Sequence, residues 1–212
     1  MCKRHSLACT TQEGTHPTVM TDEDVLSEFR ASGALLEGHF LLSSGRHSAH
    51  YLQCARVLMN AERAGRIARG ICQKIPRDIR GEIDVVVSPA MGGLIIGHEM
   101  GRTLEKDAIF LERPTGTFEF RRGFSLDKGA RVLLVEDVVT TGLSSREAMQ
   151  AVADAGGEVV AMASVVDRSA GKHGFDVPFF PLIEITFPTY DEDELPAELA
   201  AVPITKPGSR AA

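Results

Sequence analysis

Apolar positions along the chain follow two alternating rhythms. Short, mostly apolar runs stand at 84–88, 108–112, 132–135, 158–166 and 182–187. Runs of that length, rich in Val, Ile and Leu, predict strands buried on both faces of a sheet. Between them the spacing becomes helical. Val25, Leu26 and Phe29 predict a helix over 22–32, ended by Gly33, with Thr21 and Asp24 placed as a capping box. Ala64, Ile67, Ala68, Ile71 and Ile75 share one apolar face over 61–74, and Pro76 stops that helix. Another helix runs from the glycines at 92–93 to Leu104, where Gly97 and Gly101 leave room for close packing. A further one opens near Ser144, with Ala148, Val152 and Ala155 in step, and Gly156-Gly157 closes it. Strands alternating with helices predict an α/β fold, its central sheet mostly parallel and flanked by helices.

The remaining stretches break the rhythm. Residues 1–19 are polar and aperiodic, without the apolar core of a signal peptide, and predict a disordered tail. Residues 20–212 then form a single domain. The spans 39–42 and 50–54 predict a hairpin around a turn at 43–48, which fits a plain surface as well as a ligand-facing edge. Residues 113–130 are an excursion between strands, with a short hairpin near 117–120. The acidic run 191–194 reads as solvent-facing, a short helix follows Pro196, and the tail beyond Pro203 is expected to fray.

Composition narrows the class. The chain has 212 residues, 43% hydrophobic and 25% charged, enough for one well-packed globular domain. A net charge of −6 provides no global field for nucleic acid or an anionic membrane, so an anionic ligand must be held by local donors. Cys2, Cys9, Cys54 and Cys72 form no C-x-x-C pair, which argues against a zinc site or disulfide framework and favours a reducing, cytoplasmic setting. No apolar run approaches the ~18 residues of a membrane span.

The most informative stretch is 131–145, RVLLVEDVVTTGLSS. It reads as a buried strand, two acids (Glu136, Asp137), a small-residue loop through Val138, Val139, Thr140, Thr141 and Gly142, and a helix start at Leu143-Ser144. Such a loop aims backbone N–H groups at one point, and the helix dipole adds positive potential there. Thr140, Thr141 and Ser144 add hydroxyl donors, which suits a phosphate. The two acids suit hydroxyls or a metal ion instead. A phosphate with a diol nearby, as in a ribose 5-phosphate, satisfies both halves. The loop Pro89-Ala90-Met91-Gly92-Gly93 is a second candidate anion site, or simply a tight strand-to-helix connection. Arg168 follows a strand's C-terminal end, where open α/β sheets bind ligands.

The 131–145 stretch closely resembles the PRPP-binding motif of the type I phosphoribosyltransferases. Residues 22–187 together resemble the orotate phosphoribosyltransferases. The resemblance implies the type I phosphoribosyltransferase fold, with a small hood from roughly 20–54 plus the C-terminal segment over a core of roughly 55–170. It implies that Glu136 and Asp137 hold the ribose hydroxyls and are catalytic, and that 138–144 wrap the 5-phosphate. Met91 and Gly92 match the pyrophosphate loop, where Ala90–Met91 is the bond often found cis, and Arg113 matches a PRPP contact. Tyr51, Leu52, Thr140 and Arg168 match orotate contacts, with Arg168 pairing the substrate carboxylate as a guanidinium can. Ser43 stands where many relatives carry Lys, and Gly92 where some do. The segment 114–120 lacks the Lys and His of related lids, leaving Arg121 and Arg122 as stand-ins by charge. The implied chemistry joins orotate to PRPP, giving orotidine 5′-monophosphate and pyrophosphate in pyrimidine synthesis, with Mg²⁺ bound mainly through PRPP and no metal ligand assigned to the protein. The implied assembly is a homodimer with shared active sites, with no nucleic-acid or membrane partner. Two alternatives stay open: transfer to another base such as a purine, and a non-catalytic PRPP sensor of the same fold.

Overall fold

The computed structural model describes residues 20–42 and 44–206. The expected tail at 1–19 and the position of Ser43 lie outside them. In chain order the elements are α1 (Asp22–Ala31), β1 (Leu35–Leu41), β2 (His47–Leu52), α2 (Cys54–Leu58), α3 (Ala61–Lys74), α4 (Arg77–Glu82), β3 (Val85–Pro89) and α5 (Leu94–Leu104). Then follow β4 (Asp107–Glu112), β5 (Glu119–Phe120), β6 (Arg131–Val139), α6 (Leu143–Asp154), β7 (Glu158–Asp167), β8 (Phe179–Glu184), α7 (Ala197–Ala200) and β9 (Ile204–Thr205).

The main sheet has the order β5-β4-β3-β6-β7-β8. Its pairs are parallel except β4 with β5. Alternation along β6 explains why both faces are covered. Leu133 and Val135 join the cluster formed with α1, α3 and α5, while Val132 and Leu134 join a second cluster with α6. Helix α5 lies close against the sheet because its glycines allow it. A Cβ on Gly97 would stand 2.4 Å from Ser88 Oγ, and one on Gly101 would stand 2.7 Å from the Ala108 Cβ. The capping box of α1 forms as its residues suggest: Thr21 Oγ1 accepts from the Asp24 amide, and the Asp24 carboxylate accepts from the Thr21 amide.

A smaller sheet, β2-β1-β9, brings the two ends of the described chain together as a hood. Here β1 pairs antiparallel with β2 and parallel with β9. The buried His39 ties the three strands: its Nδ1 lies 3.1 Å from the Val202 carbonyl oxygen and its Nε2 2.7 Å from His47 Nδ1. Residues 204–205 therefore do not fray as expected beyond Pro203, because β1 offers them a free edge.

Other boundaries move for similar reasons. Strand β6 continues through Val139 because β7 pairs with it as far as Val139↔Asp167, so both acids lie inside the ladder. Strand β8 starts at Phe179 and ends at Glu184, leaving Phe187 outside it. Because β8 pairs with β7, the core sheet extends past residue 170, its expected limit. The short helices α2 and α4 carry too few residues to show a periodic face.

Candidate active site

Among the consecutive core strands β3, β4, β6, β7 and β8, the chain first winds outward to β4 and then crosses back to β6. The switch point therefore falls between β3 and β6, and open α/β sheets bind ligands outside the carboxyl ends of strands at such a point. Two loops meet there: 89–93, after β3, and 140–142, after β6. Gly92 brings the first of them against the acid at the end of β6, since a Cβ on it would stand 2.5 Å from Asp137 Oδ1. The Ala90–Met91 peptide is cis, as the loop's resemblance implied. Met91 projects outward, 79% exposed.

The acid pair sits at the centre. Glu136 is 7% exposed, and Ser145 Oγ lies 3.5 Å from its Oε1. Burial and then the neighbouring Asp137 push the Glu136 carboxyl up to about 8, partly offset by Ser145 and Arg113. Burial also raises the Asp137 carboxyl, against the amides of Val138 and Asp137, which favour its charged form. Two acids held with little water need cations or hydroxyl donors from a ligand to ionise together.

Beyond them the loop turns at Gly142, which has φ +71° and caps α6. Its lack of a side chain is required: a Cβ would meet the His173 carbonyl oxygen at 2.3 Å. Arg146 donates to the carbonyl oxygens of Thr141, at 3.1 Å, and of His173, so a second loop braces the first. Thr140, Thr141, Leu143 and Ser144 are exposed around the start of α6. Val138 and Val139 differ: both side chains pack into the hydrophobic clusters, so contact with a ligand is left to their main chain.

On the other side of Asp137 stands the expected base site. Tyr51 is half-buried; burial raises its hydroxyl, nearby Arg168 opposes that, and Asp137 and Cys54 add to it. Phe40 packs on Tyr51 with ring centroids 5.7 Å apart. Leu52 is 5% exposed and belongs to the core, so its side chain backs this wall rather than lining it. Arg168 is half-buried, and burial lowers its guanidinium from the usual value, offset by Tyr51 and Cys54. It forms no ion pair or side-chain hydrogen bond among the described residues. Its guanidinium carbon instead lies 5.5 Å from the Phe187 ring centroid.

Arg113 is brought near Glu136 but is engaged, paired with Glu147 of α6 and placed 4.0 Å over the Phe118 ring. Arg121 and Arg122 lie farther along the excursion and both pair with Glu112, at 3.7 Å and 2.6 Å. Ser145, Glu147, Phe187 and the 169–174 loop were missed in the sequence. Ser145 alone carried a signal, as a hydroxyl in the first turn of the helix behind the acids. Among the described residues no group of three or more His, Cys, Asp or Glu is placed to cage a metal.

The phosphoribosyl transferase domain model matches residues 58–186, spanning both loops and the acid pair. A relative from Erythrobacter litoralis, an orotate phosphoribosyltransferase, is 73% identical over 91% of this chain and 100% of its own length. The chain belongs to the orotate phosphoribosyltransferase family. A family member from Caulobacter vibrioides is 55% identical over 90% of this chain and 98% of its own. The crystal structure of orotate phosphoribosyltransferase from Aeropyrum pernix superimposes with a TM-score of 0.67 at 25% identity, covering 76% of this chain and 93% of that one. An adenine phosphoribosyltransferase from Thermoanaerobacter pseudethanolicus, at 16% identity and a TM-score of 0.54, shares the fold. This phosphoribosyltransferase thus has the expected α/β class, with a hood over a mostly parallel sheet.

Proposed function

We propose that the chain transfers the ribose 5-phosphate group of PRPP to orotate, forming orotidine 5′-monophosphate and releasing pyrophosphate. The observation that carries the choice of base is Arg168. A half-buried guanidinium without an anionic partner among the described residues, near Tyr51 and Cys54, is prepared for a carboxylate ligand. Orotate has that carboxylate and a purine does not.

The residues divide the work. Residues 138–144 hold the 5-phosphate through main-chain N–H groups and the hydroxyls of Thr140, Thr141 and Ser144, at the positive end of α6. Glu136 and Asp137 accept hydrogen bonds from the ribose hydroxyls. Met91 and Gly92 line the pyrophosphate end, and Arg113 leaves Glu147 to meet it. Tyr51, Thr140 and Arg168 set the orotate ring, with Leu52 behind it.

In the reaction the C1–O bond to pyrophosphate breaks and a C1–N1 bond forms, while orotate N1 gives up its proton. Positive charge develops on the sugar as the first bond lengthens, and the acid pair beneath the ring stabilises it. Asp137, whose carboxyl burial raises, is the group proposed to take the proton. Mg²⁺ fits this site: the adjacent acids and a diphosphate form a hard oxygen donor set, and the ion, when bound, neutralises the leaving group. Most of the rate enhancement then comes from positioning and electrostatics.

We further propose a cytoplasmic homodimer with shared active sites, in which residues 20–212 of each chain form one domain. Incubation with PRPP, Mg²⁺ and a panel of bases, following pyrophosphate release, tests the assignment. Release with orotate alone is expected. Release with a purine, or with no base, overturns it. The Glu136→Gln, Asp137→Asn double variant should remain folded and lose most turnover; wild-type rates would remove the acids from their roles.

A further inference from the structure

We propose that Phe187 is a positioning residue for orotate recognition, aiming Arg168 at the substrate carboxylate and coupling that arginine to the hood. The inference rests on the reading of Arg168 as the carboxylate-binding group.

Three observations support it. First, Arg168 has no carboxylate or carbonyl to hold it among the described residues, yet its long side chain is half-buried. A guanidinium so placed has many rotamers unless a surface fixes it, and the ring face of Phe187, 5.5 Å from its central carbon, is that surface. An aromatic face suits the task because it attracts the cation without occupying its five N–H donors, which stay available for a ligand.

Second, Phe187 is not there as part of a strand. Strand β8 ends at Glu184, and the chain continues through Ile185, which donates its amide to the Asp167 carbonyl oxygen at 2.8 Å. This bond fixes the segment carrying Phe187 to the residue immediately before Arg168. Ring and guanidinium are therefore held by one local framework.

Third, the same ring carries His50 of β2, stacked at 5.1 Å between centroids and 16° between planes. His50 Nδ1 is buried with no hydrogen-bond partner. The imidazole is thus held by its flat face rather than by its polar atoms. Its neighbour Tyr51 lies on the base side, near Arg168. Phe187 is the piece through which movement of the hood strand reaches the arginine.

The recognition of a carboxylate then depends on a residue that need not touch the substrate. Phe187→Leu keeps an apolar side chain of similar bulk but removes the π face. It should raise KM for orotate about five- to tenfold, with KM for PRPP and kcat nearly unchanged. Phe187→Tyr keeps the ring and should stay within about twofold of wild type. On an Arg168→Ala background, Phe187→Leu should add no further loss, because its effect runs through the arginine. Thermal melts of each variant separate positioning from collapse of the fold, which would lower apparent kcat by removing active enzyme.

The inference is overturned if Phe187→Leu leaves KM for orotate unchanged, raises both KM values alike, or adds its full effect to Arg168→Ala. It also fails if Phe187→Tyr is as impaired as Phe187→Leu. Should Arg168→Ala itself leave orotate KM unchanged, the carboxylate reading falls and takes the inference with it. A raised KM in Arg168→Ala with none in Phe187→Leu sinks the inference alone.

Discussion

Gly142→Ala probes the proposed phosphate loop at its tightest point. Two penalties combine at this position. At φ +71° an L side chain pays roughly 1–2 kcal/mol for the left-handed conformation. Its new Cβ would also stand 2.3 Å from the His173 carbonyl oxygen, where ordinary contact begins at 3.4 Å. That oxygen belongs to the main chain rather than to the loose end of a side chain, so one of the two loops must retreat by about 1 Å, a displacement that can cost on the order of a hundredfold in rate. Gly129→Ala supplies the control. It has φ +79° and nothing within 4 Å of its Cβ, so it carries the conformational strain without the collision. Both variants should melt a few degrees lower, at roughly 2–4 °C per kcal/mol for a chain of this size. Only Gly142→Ala should lose about a hundredfold in kcat/KM for PRPP, read from initial rates of pyrophosphate release at saturating orotate. If the two variants agree in kcat/KM within about threefold, the loop does not need its geometry to grip PRPP.

Other perturbations test separate features. Glu136 is held up at about 8 against an ordinary value of 4.5, so the folded protein keeps a proton that the unfolded chain releases. Wild-type stability should therefore fall as pH rises from 4.5 towards 8, with the whole penalty present above that. Glu136→Gln cannot ionise, and its melting advantage over wild type, without ligand, should grow between about pH 5 and 9; a constant difference would contradict the burial argument. Glu147→Gln breaks the part-exposed pair with Arg113 and should change stability by less than about 1 kcal/mol in urea titrations. His39→Ala removes the contact to the Val202 carbonyl and strands a buried nitrogen of His47, at a cost of roughly 1–3 kcal/mol. Hydrogen exchange should then quicken at residues 204–205, and unchanged protection there would count against His39 as the tie.

The parts of the fold visible in the sequence were those set by local chemistry. Helix α3 covers the span that its apolar face and Pro76 require. Gly97 and Gly101 announced close packing before any contact was known. The loop proposed to hold the phosphate was legible for the same reason, since all its groups lie within one short segment. The base side was harder. Arg168 could be placed at a strand end, but Phe187 looked like the last residue of a strand, and its position over the guanidinium depends on how β8 pairs with β7. The extension of β6 past the acids and the pairing of β9 with β1 are likewise tertiary. Leu52, Val138 and Val139 show the complementary limit, because a linear motif identifies a segment without revealing which side chains turn inward.

The site's two halves have different genealogies along the polypeptide. The proposed sugar-phosphate grip is one uninterrupted stretch, from the end of β6 to the start of α6, whereas the proposed wall for the base is assembled from β2, the segment after β7 and the segment beyond β8. Mutation can therefore retune the wall piece by piece while the grip stays intact. A scaffold so divided is suited to acquiring new acceptor bases without relearning how to hold its donor.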